Sequence, residues 1–152
     1  MERYDEDRQY HCWLVLLRTA EIILRARDKE LEPYGLTASQ AAVLYTIDNL
    51  GDRATVGNIS KWLFKKPHTV SGILDRMERL GLVVRIMNHG QKGRVFIEMT
   101  PKGQKAREIA SKRETIHAVM SVLQKSELEE LERLLEAINA QAAEVLRASA
   151  EI

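Results

Sequence analysis

Hydrophobic positions recur at helical spacing along most of this chain. Between Tyr10 and about Leu31, Trp13, Leu16, Leu17, Ala20, Ile23 and Leu24 make one apolar face, with Arg18, Glu21, Arg25 and Asp28 elsewhere. That spacing predicts a long helix, ended by Pro33 and Gly35. Thr37-Ala-Ser-Gln40 has the form of a capping box, a hydroxyl at the cap and Gln three residues later. It opens a second helix with Ala41, Val43, Leu44 and Ile47 inward, closing near Asn49 and Gly51. Arg53 to Val56 reads as a minimal strand, and Thr55 as the cap of a third helix reaching Phe64, with Ile59, Trp62 and Leu63 inward. Pro67 then suits a first helical position, where its missing N–H costs nothing. Val70, Ile73, Leu74, Met77 and Leu80 form one stripe of this fourth helix, and Gly81 stops it at C′. Its opposite face carries His68, Thr69, Ser71, Gly72 and Arg76, short polar or backbone-exposing groups followed by a cation.

The period then changes. Leu82 to Met87 and Val95 to Met99 read as strands, joined by the polar, glycine-bearing tip Asn88 to Arg94. Thr100-Pro101 restarts helix, and one pattern runs through Ala106, Ile109, Ala110, Arg113, Ile116, Val119, Met120 and Leu123. Ser126-Glu-Leu-Glu129 is a second capping box, opening a last helix with Leu128, Leu131, Leu134, Leu135, Ile138, Ala142, Val145 and Leu146 on one side. This helix and the first carry more apolar surface than so small a core covers. Packing of the two chain ends on each other is one outcome. The expected one is a homodimer interface built on Trp13, Leu17, Leu128, Leu131, Leu135, Ile138 and Val145.

Composition narrows the chemistry. The 152 residues suit a globular protein with a helical bias, 45% hydrophobic and 30% charged, with net charge +1. A single cysteine, Cys12, rules out an internal disulfide and leaves a zinc site without its usual thiolates. The apolar run from Cys12 to Leu17 is too short to span a membrane, and no secretory signal pattern opens the chain, so a cytoplasmic protein is expected. His11, His68, His89 and His117 have no metal-ligand spacing, and no nucleophile–base motif or phosphate loop appears. Neither an enzyme nor a cofactor or metal site is expected. The charge is unevenly placed. From Lys61 to Arg94 there are eight cations (Lys61, Lys65, Lys66, Arg76, Arg79, Arg85, Lys92 and Arg94) against Asp75 and Glu78, a net of +6 in a chain of +1. That is the local footprint phosphate binding needs.

Two helices with a tight connection, the second polar in front, followed by a basic hairpin, make a winged helix-turn-helix. The fold class expected is mainly α with a small β-hairpin wing, flanked by N- and C-terminal dimerisation helices. The division is 1–34 for the first dimerisation helix, 35–100 for the DNA-binding lobe and 101–152 for the last helices. Leu36-Thr-Ala-Ser-Gln40, Leu74-Asp-Arg-Met-Glu-Arg-Leu-Gly-Leu82, Arg85 and Met99-Thr-Pro-Lys-Gly103 stand in the order and spacing of one family. The chain resembles the MarR (multiple antibiotic resistance regulator) family of winged-helix transcription factors.

That resemblance implies a homodimer on a pseudo-palindromic double-stranded operator, usually a repressor, with a small-molecule effector between dimer helices and DNA-binding lobe. By position, Pro67, His68, Thr69, Ser71, Gly72 and Arg76 would face the major groove. Lys65 and Lys66 are placed for phosphates, and the wing, with Lys92 and Arg94, for the minor groove. One departure concerns the wing, where the family's Asp-x-Arg pair is replaced by Gln91 and Gly93 and the arginine is displaced to Arg94. Cys12 matches the thiol-based sensors of the family in place. The tyrosines that support such a thiol have no counterparts near Leu16, Arg25 or Ala26, so a buried, inert cysteine is expected. Rival readings are a helical interaction module whose basic hairpin meets an acidic protein, a nonspecific architectural DNA binder, and a redox-sensing regulator using Cys12.

Overall fold

The computed structural model describes residues 7–88, 90 and 93–150, Asn88 by its backbone alone. It is mainly helical with one antiparallel hairpin, and it divides into two compact units, residues up to 114 and residues from 115.

In the first unit, α1 (Arg8–Leu31) is capped by the Asp7 carboxylate, which accepts the Tyr10 N–H at 2.9 Å. Only its last turns are buried, at Arg27 and Leu31. Cys12 is exposed, which corrects the expectation of a buried thiol: it lies in the half of α1 that has no buried residue. The capping box of α2 (Ala38–Leu50) forms as expected, Gln40 N–H to Thr37 Oγ1 at 3.2 Å and Thr37 N–H to Gln40 Oε1 at 3.1 Å. Thr55 Oγ1 likewise accepts the Asn58 N–H at 3.2 Å and starts α3 (Val56–Leu63). No strand forms at 53–56. Residues 51–53 make a 3-10 turn, and the Ala54 carbonyl accepts one hydrogen bond from the Ile97 N–H, at 2.8 Å, before Thr55 enters the helix. Ile59, Ser60 and Leu63 take the inward face of α3 and turn Trp62 out to 52% exposure, another correction.

The fourth helix, α4 (Pro67–Arg79), buries Val70, Ile73, Leu74 and Met77. Leu80, expected in that stripe, lies past the last helical residue and is 43% exposed. With Leu44, Ile47, Ile59, Val83 and Ile97 these residues form the core. Strands β1 (Val83–Asn88) and β2 (Arg94–Met99) pair from Val83↔Met99 to Asn88↔Arg94, so Arg94 opens a strand rather than closing the tip.

Three helical segments of this unit end alike. At Gly35, Phe64 and Gly81 the chain turns left-handed, with φ of 69°, 52° and 72°. In each, the turning residue donates its N–H three residues back and its successor donates five back, which is the Schellman arrangement. Lys65 N–H to Ser60 O, at 3.0 Å, is one such bond. Glycine adopts this φ freely, whereas an L side chain there costs about 1–2 kcal/mol. Phe64 holds a position that its two equivalents give to glycine.

The helix α5 (Pro101–Ala110) clasps the exit of α4. Thr100 N–H donates to Leu82 O at 3.0 Å, the Thr100 hydroxyl donates to Gly81 O, and Lys102 Nζ donates to Leu80 O at 2.7 Å. Gly103 is buried against Leu82. Arg27, itself buried, pairs with Glu30 at 2.7 Å and caps α5 through Ala110 O. The single helix expected from 101 to 123 is broken at Arg113, which takes φ 51°. Tertiary contacts hold the break: the Arg113 guanidinium lies 5.1 Å from the centre of the Tyr45 ring, and Glu30 Oε1 accepts the Glu114 N–H at 3.0 Å.

The helix α6 (Glu114–Met120) runs into the second unit, where α7 (Lys125–Ala150) has no buried residue. Its cap lies two residues earlier than the Ser126 box: Glu127 Oε2 accepts the Gln124 N–H at 2.8 Å, and Leu128 N–H donates to Gln124 O at 2.9 Å. A Glu stands three residues after both Gln124 and Ser126, and the backbone turns at the first.

Candidate nucleic-acid interface

The front of α4 is set by its period. With Val70, Ile73, Leu74 and Met77 buried, the steps of four, three and four from His68 through Gly72 and Asp75 to Arg79 trace the outward stripe. Thr69 and Arg76 flank it on one side, Ser71 and Glu78 on the other. Pro67, His68, Thr69 and Arg76 are exposed, while Ser71 and Gly72 are half-buried. No side chain caps the first turn of α4. Its free N–H groups and the positive end of the helix dipole therefore stand beside exposed Lys65 and Lys66.

Electrostatics divides this surface in two. Arg85, on β1, pairs with Asp75 at 2.7 Å and Glu78 at 3.3 Å, the two carboxylates of the 61–94 segment. Its backbone N–H also donates to Glu78 at 3.3 Å. Arg85 therefore locks wing to helix and is not free for a phosphate. Lys61, Lys65, Lys66, Arg76, Arg79 and Arg94 are exposed and, among the described residues, in no ion pair. Lys92 lies outside the described residues, as do His89 and Gln91 of the tip.

Lys61, Trp62 and Phe64 closely precede α4 in sequence and Arg79 lies on its outward stripe; none was among the residues expected to face DNA. Arg79 was legible, seven residues beyond Gly72 and eleven beyond His68. The two aromatics were not, since their hydrophobicity argues for burial.

The residues expected to dimerise are uncovered in the chain. Trp13 and Leu17 are 50% and 52% exposed, Leu128, Leu135, Ile138 and Val145 are exposed, and Leu131 is half-buried. Behind the clasp, a mostly apolar cleft of about 240 Å³ is lined by Tyr34, Leu36, Leu80, Leu82, Ala106 and Ile109, with Lys102 and Lys105 at it. Among the described residues no His, Cys, Asp and Glu cluster suits a metal, and no helix is long and apolar enough to cross a membrane.

Residues 34–94, the helix-turn-helix and most of the wing, match the model of the MarR family. An uncharacterized HTH-type transcriptional regulator of Bacillus subtilis, YsmB, is 29% identical over 100 residues, covering 64% of this chain and 68% of the relative. Among solved structures, the organohalide-sensing regulator RdhR-CbdbA1625 bound to 2,4-dichlorophenol superposes with a TM-score of 0.84 at 23% identity, covering 93% of this chain and 85% of that one. A variant of E. coli MarR in complex with operator DNA gives 0.80 at 21% identity, covering 91% and 99%. The solved structures share the fold, and the family model and the relative share its sequence. Residues 34–94 are thus similar in sequence to the MarR family, and the chain shares the fold of the solved regulators.

Proposed function

We propose that this chain is a homodimeric, sequence-specific DNA-binding transcriptional regulator, a repressor released by a small-molecule effector. The observation that carries the reading is the charge on the front of α4. Six exposed cations on and beside it, Lys61, Lys65, Lys66, Arg76, Arg79 and Arg94, are in no ion pair among the described residues, while both acids of the segment are spent on Arg85. In this reading α4 enters the major groove with His68, Thr69, Ser71, Gly72 and Arg76 toward base edges, Lys65 and Lys66 take phosphates, and the wing reaches the minor groove. The solved relative with operator DNA supports the mode of binding.

The exposed apolar faces of α1 and α7 support dimerisation, so we assign 1–34 and 101–152 to the dimer and 35–100 to DNA, a division by role. The apolar cleft behind α5 and the dichlorophenol-bound relative support an effector. A cytoplasmic location accompanies binding to the chromosome. Mobility-shift titration against the chain's own upstream region and random DNA tests the reading. Preference for the upstream duplex is expected, and equal affinity for both would leave only nonspecific binding. Exposure of Cys12 favours one second reading, release by oxidation. Peroxide-induced loss of DNA that Cys12→Ser abolishes would establish it.

A further inference from the structure

Trp62 and Phe64 are large aromatics, 52% and 61% exposed, placed where α3 hands over to α4. Phe64 is doubly anomalous. It takes φ 52° in a turn whose two equivalents in this chain are glycines, and its ring gains little burial in exchange. A residue that strains the backbone and stays exposed is compensated, if at all, by something outside the fold. What lies around it identifies that partner. In sequence the aromatics are interleaved with Lys61, Lys65 and Lys66, all exposed and in no ion pair among the described residues, and Pro67 of α4 follows directly. An apolar protein partner would have to desolvate three ammonium groups. A DNA strand offers each group its complement, phosphate oxygens to the lysines and the apolar sugar face between phosphates to the rings.

We propose that Trp62 and Phe64 form a platform that packs on deoxyribose along the strand bordering the groove entered by α4, with the three lysines on adjacent phosphates. The proposal rests on the DNA-binding reading above and adds to it a contact that is apolar and blind to sequence. Sugars repeat at every nucleotide, so the platform fixes the height and register of α4 without reading bases. Its contribution is insensitive to salt, since no counterion leaves when an apolar ring is covered.

The test uses the full chain with two duplexes, one random in sequence and one from the chain's upstream region, over a range of salt. Phe64→Gly should raise the melting temperature by about 2 °C as strain is lost. It should weaken binding to both duplexes by the same factor, about fivefold, with the log–log salt slope unchanged. Phe64→Ala, which keeps the side-chain strain and removes the ring, should show the affinity loss without the stability gain. Lys66→Ala, by contrast, should reduce the slope by about one. In a Trp13→Phe background, where Trp62 is the one remaining tryptophan, either duplex should change its emission. Unchanged affinity in Phe64→Gly with wild type binding normally would overturn the platform alone, as would an acidic protein binding in place of DNA. A loss confined to the upstream duplex would make Phe64 a base reader instead, and a lower melting temperature would place its role inside the fold. Failure of the wild type to bind either duplex would overturn the DNA-binding reading itself.

Discussion

Gly103→Ala is the smallest change that should unseat α4 without touching it. A Cβ at Gly103 would overlap the Leu82 carbonyl oxygen and stand 3.0 Å from its carbon. Both groups are backbone, so no rotamer relieves the clash, and the first turn of α5 must move off the α4–β1 junction. That movement stretches Thr100 N–H to Leu82 O, now 3.0 Å, and the Thr100 hydroxyl bond to Gly81 O. Overpacking of this kind costs about 1–3 kcal/mol, and each hydrogen bond lost about 1 kcal/mol more. A total of about 3–5 kcal/mol is a large share of the about 5–15 kcal/mol that holds a domain together. Urea unfolding followed by circular dichroism should show the midpoint falling with its slope kept, and the melting temperature dropping by about 10 °C.

Gly72→Ala is the control. Its Cβ would meet nothing within 4 Å. Inside a helix, Ala gains up to about 1 kcal/mol over Gly. One glycine should therefore tolerate Ala and the other should not. Gly103→Ala within about 1 kcal/mol of wild type would refute the clasp, since no stable geometry accommodates that Cβ without parting α5 from Leu82.

Three further outcomes are expected. Deleting Ser126 to Ile152 should yield monomer or aggregate with sharply weaker operator binding, and sedimentation showing a monodisperse chain of unchanged affinity would contradict the dimer. Arg85→Ala should weaken DNA binding by restoring two uncompensated acids to the surface while costing stability only about 0.5–1 kcal/mol, as partly exposed pairs do; adding Asp75→Asn should recover part of the affinity, and no recovery would mean that Arg85 touches DNA directly. Arg94→Ala should weaken binding most on A·T-rich flanks, where a narrow minor groove concentrates negative potential, and equal loss on all flanks would assign Arg94 to a phosphate.

What the chain reveals before folding is what local chemistry decides. Thr37 and Gln40 close on each other across three residues, Thr55 reaches Asn58, and Gly81 and Leu82 bond back to Glu78 and Met77 to turn the end of α4, each through near neighbours in sequence. Periodicity located Val70, Ile73, Leu74 and Met77 as a buried stripe for the same reason. It failed where distant groups decide. The apolar spacing from Ala106 to Leu123 is helical throughout, yet Tyr45 and Glu30, far earlier in the chain, hold a left-handed Arg113 in its middle. Trp62 failed for a different cause. Hydrophobicity states what a side chain gains by leaving water, not where water is excluded, and α3 is short enough that Ile59, Ser60 and Leu63 fill its inward face.

The basic segment shows how a correct sum can conceal its arrangement. Eight cations against two acids describes the segment whether or not any of them pair. Had Asp75 and Glu78 paired with cations of α4 itself, they would have drawn on the charge facing a groove. Instead Arg85 reaches across from β1 and takes both, at 2.7 and 3.3 Å. One strand residue thus does two jobs. It fixes the hairpin against α4, and it offsets part of the negative charge of Asp75 on the outward stripe and of Glu78 beside it. The field the remaining cations project falls off over about a Debye length, roughly 8–10 Å in ordinary salt. With Arg85 offsetting one of the two negative charges, Lys65, Lys66, Arg76 and Arg79 leave the surface around the start and front of α4 with an excess of positive charge.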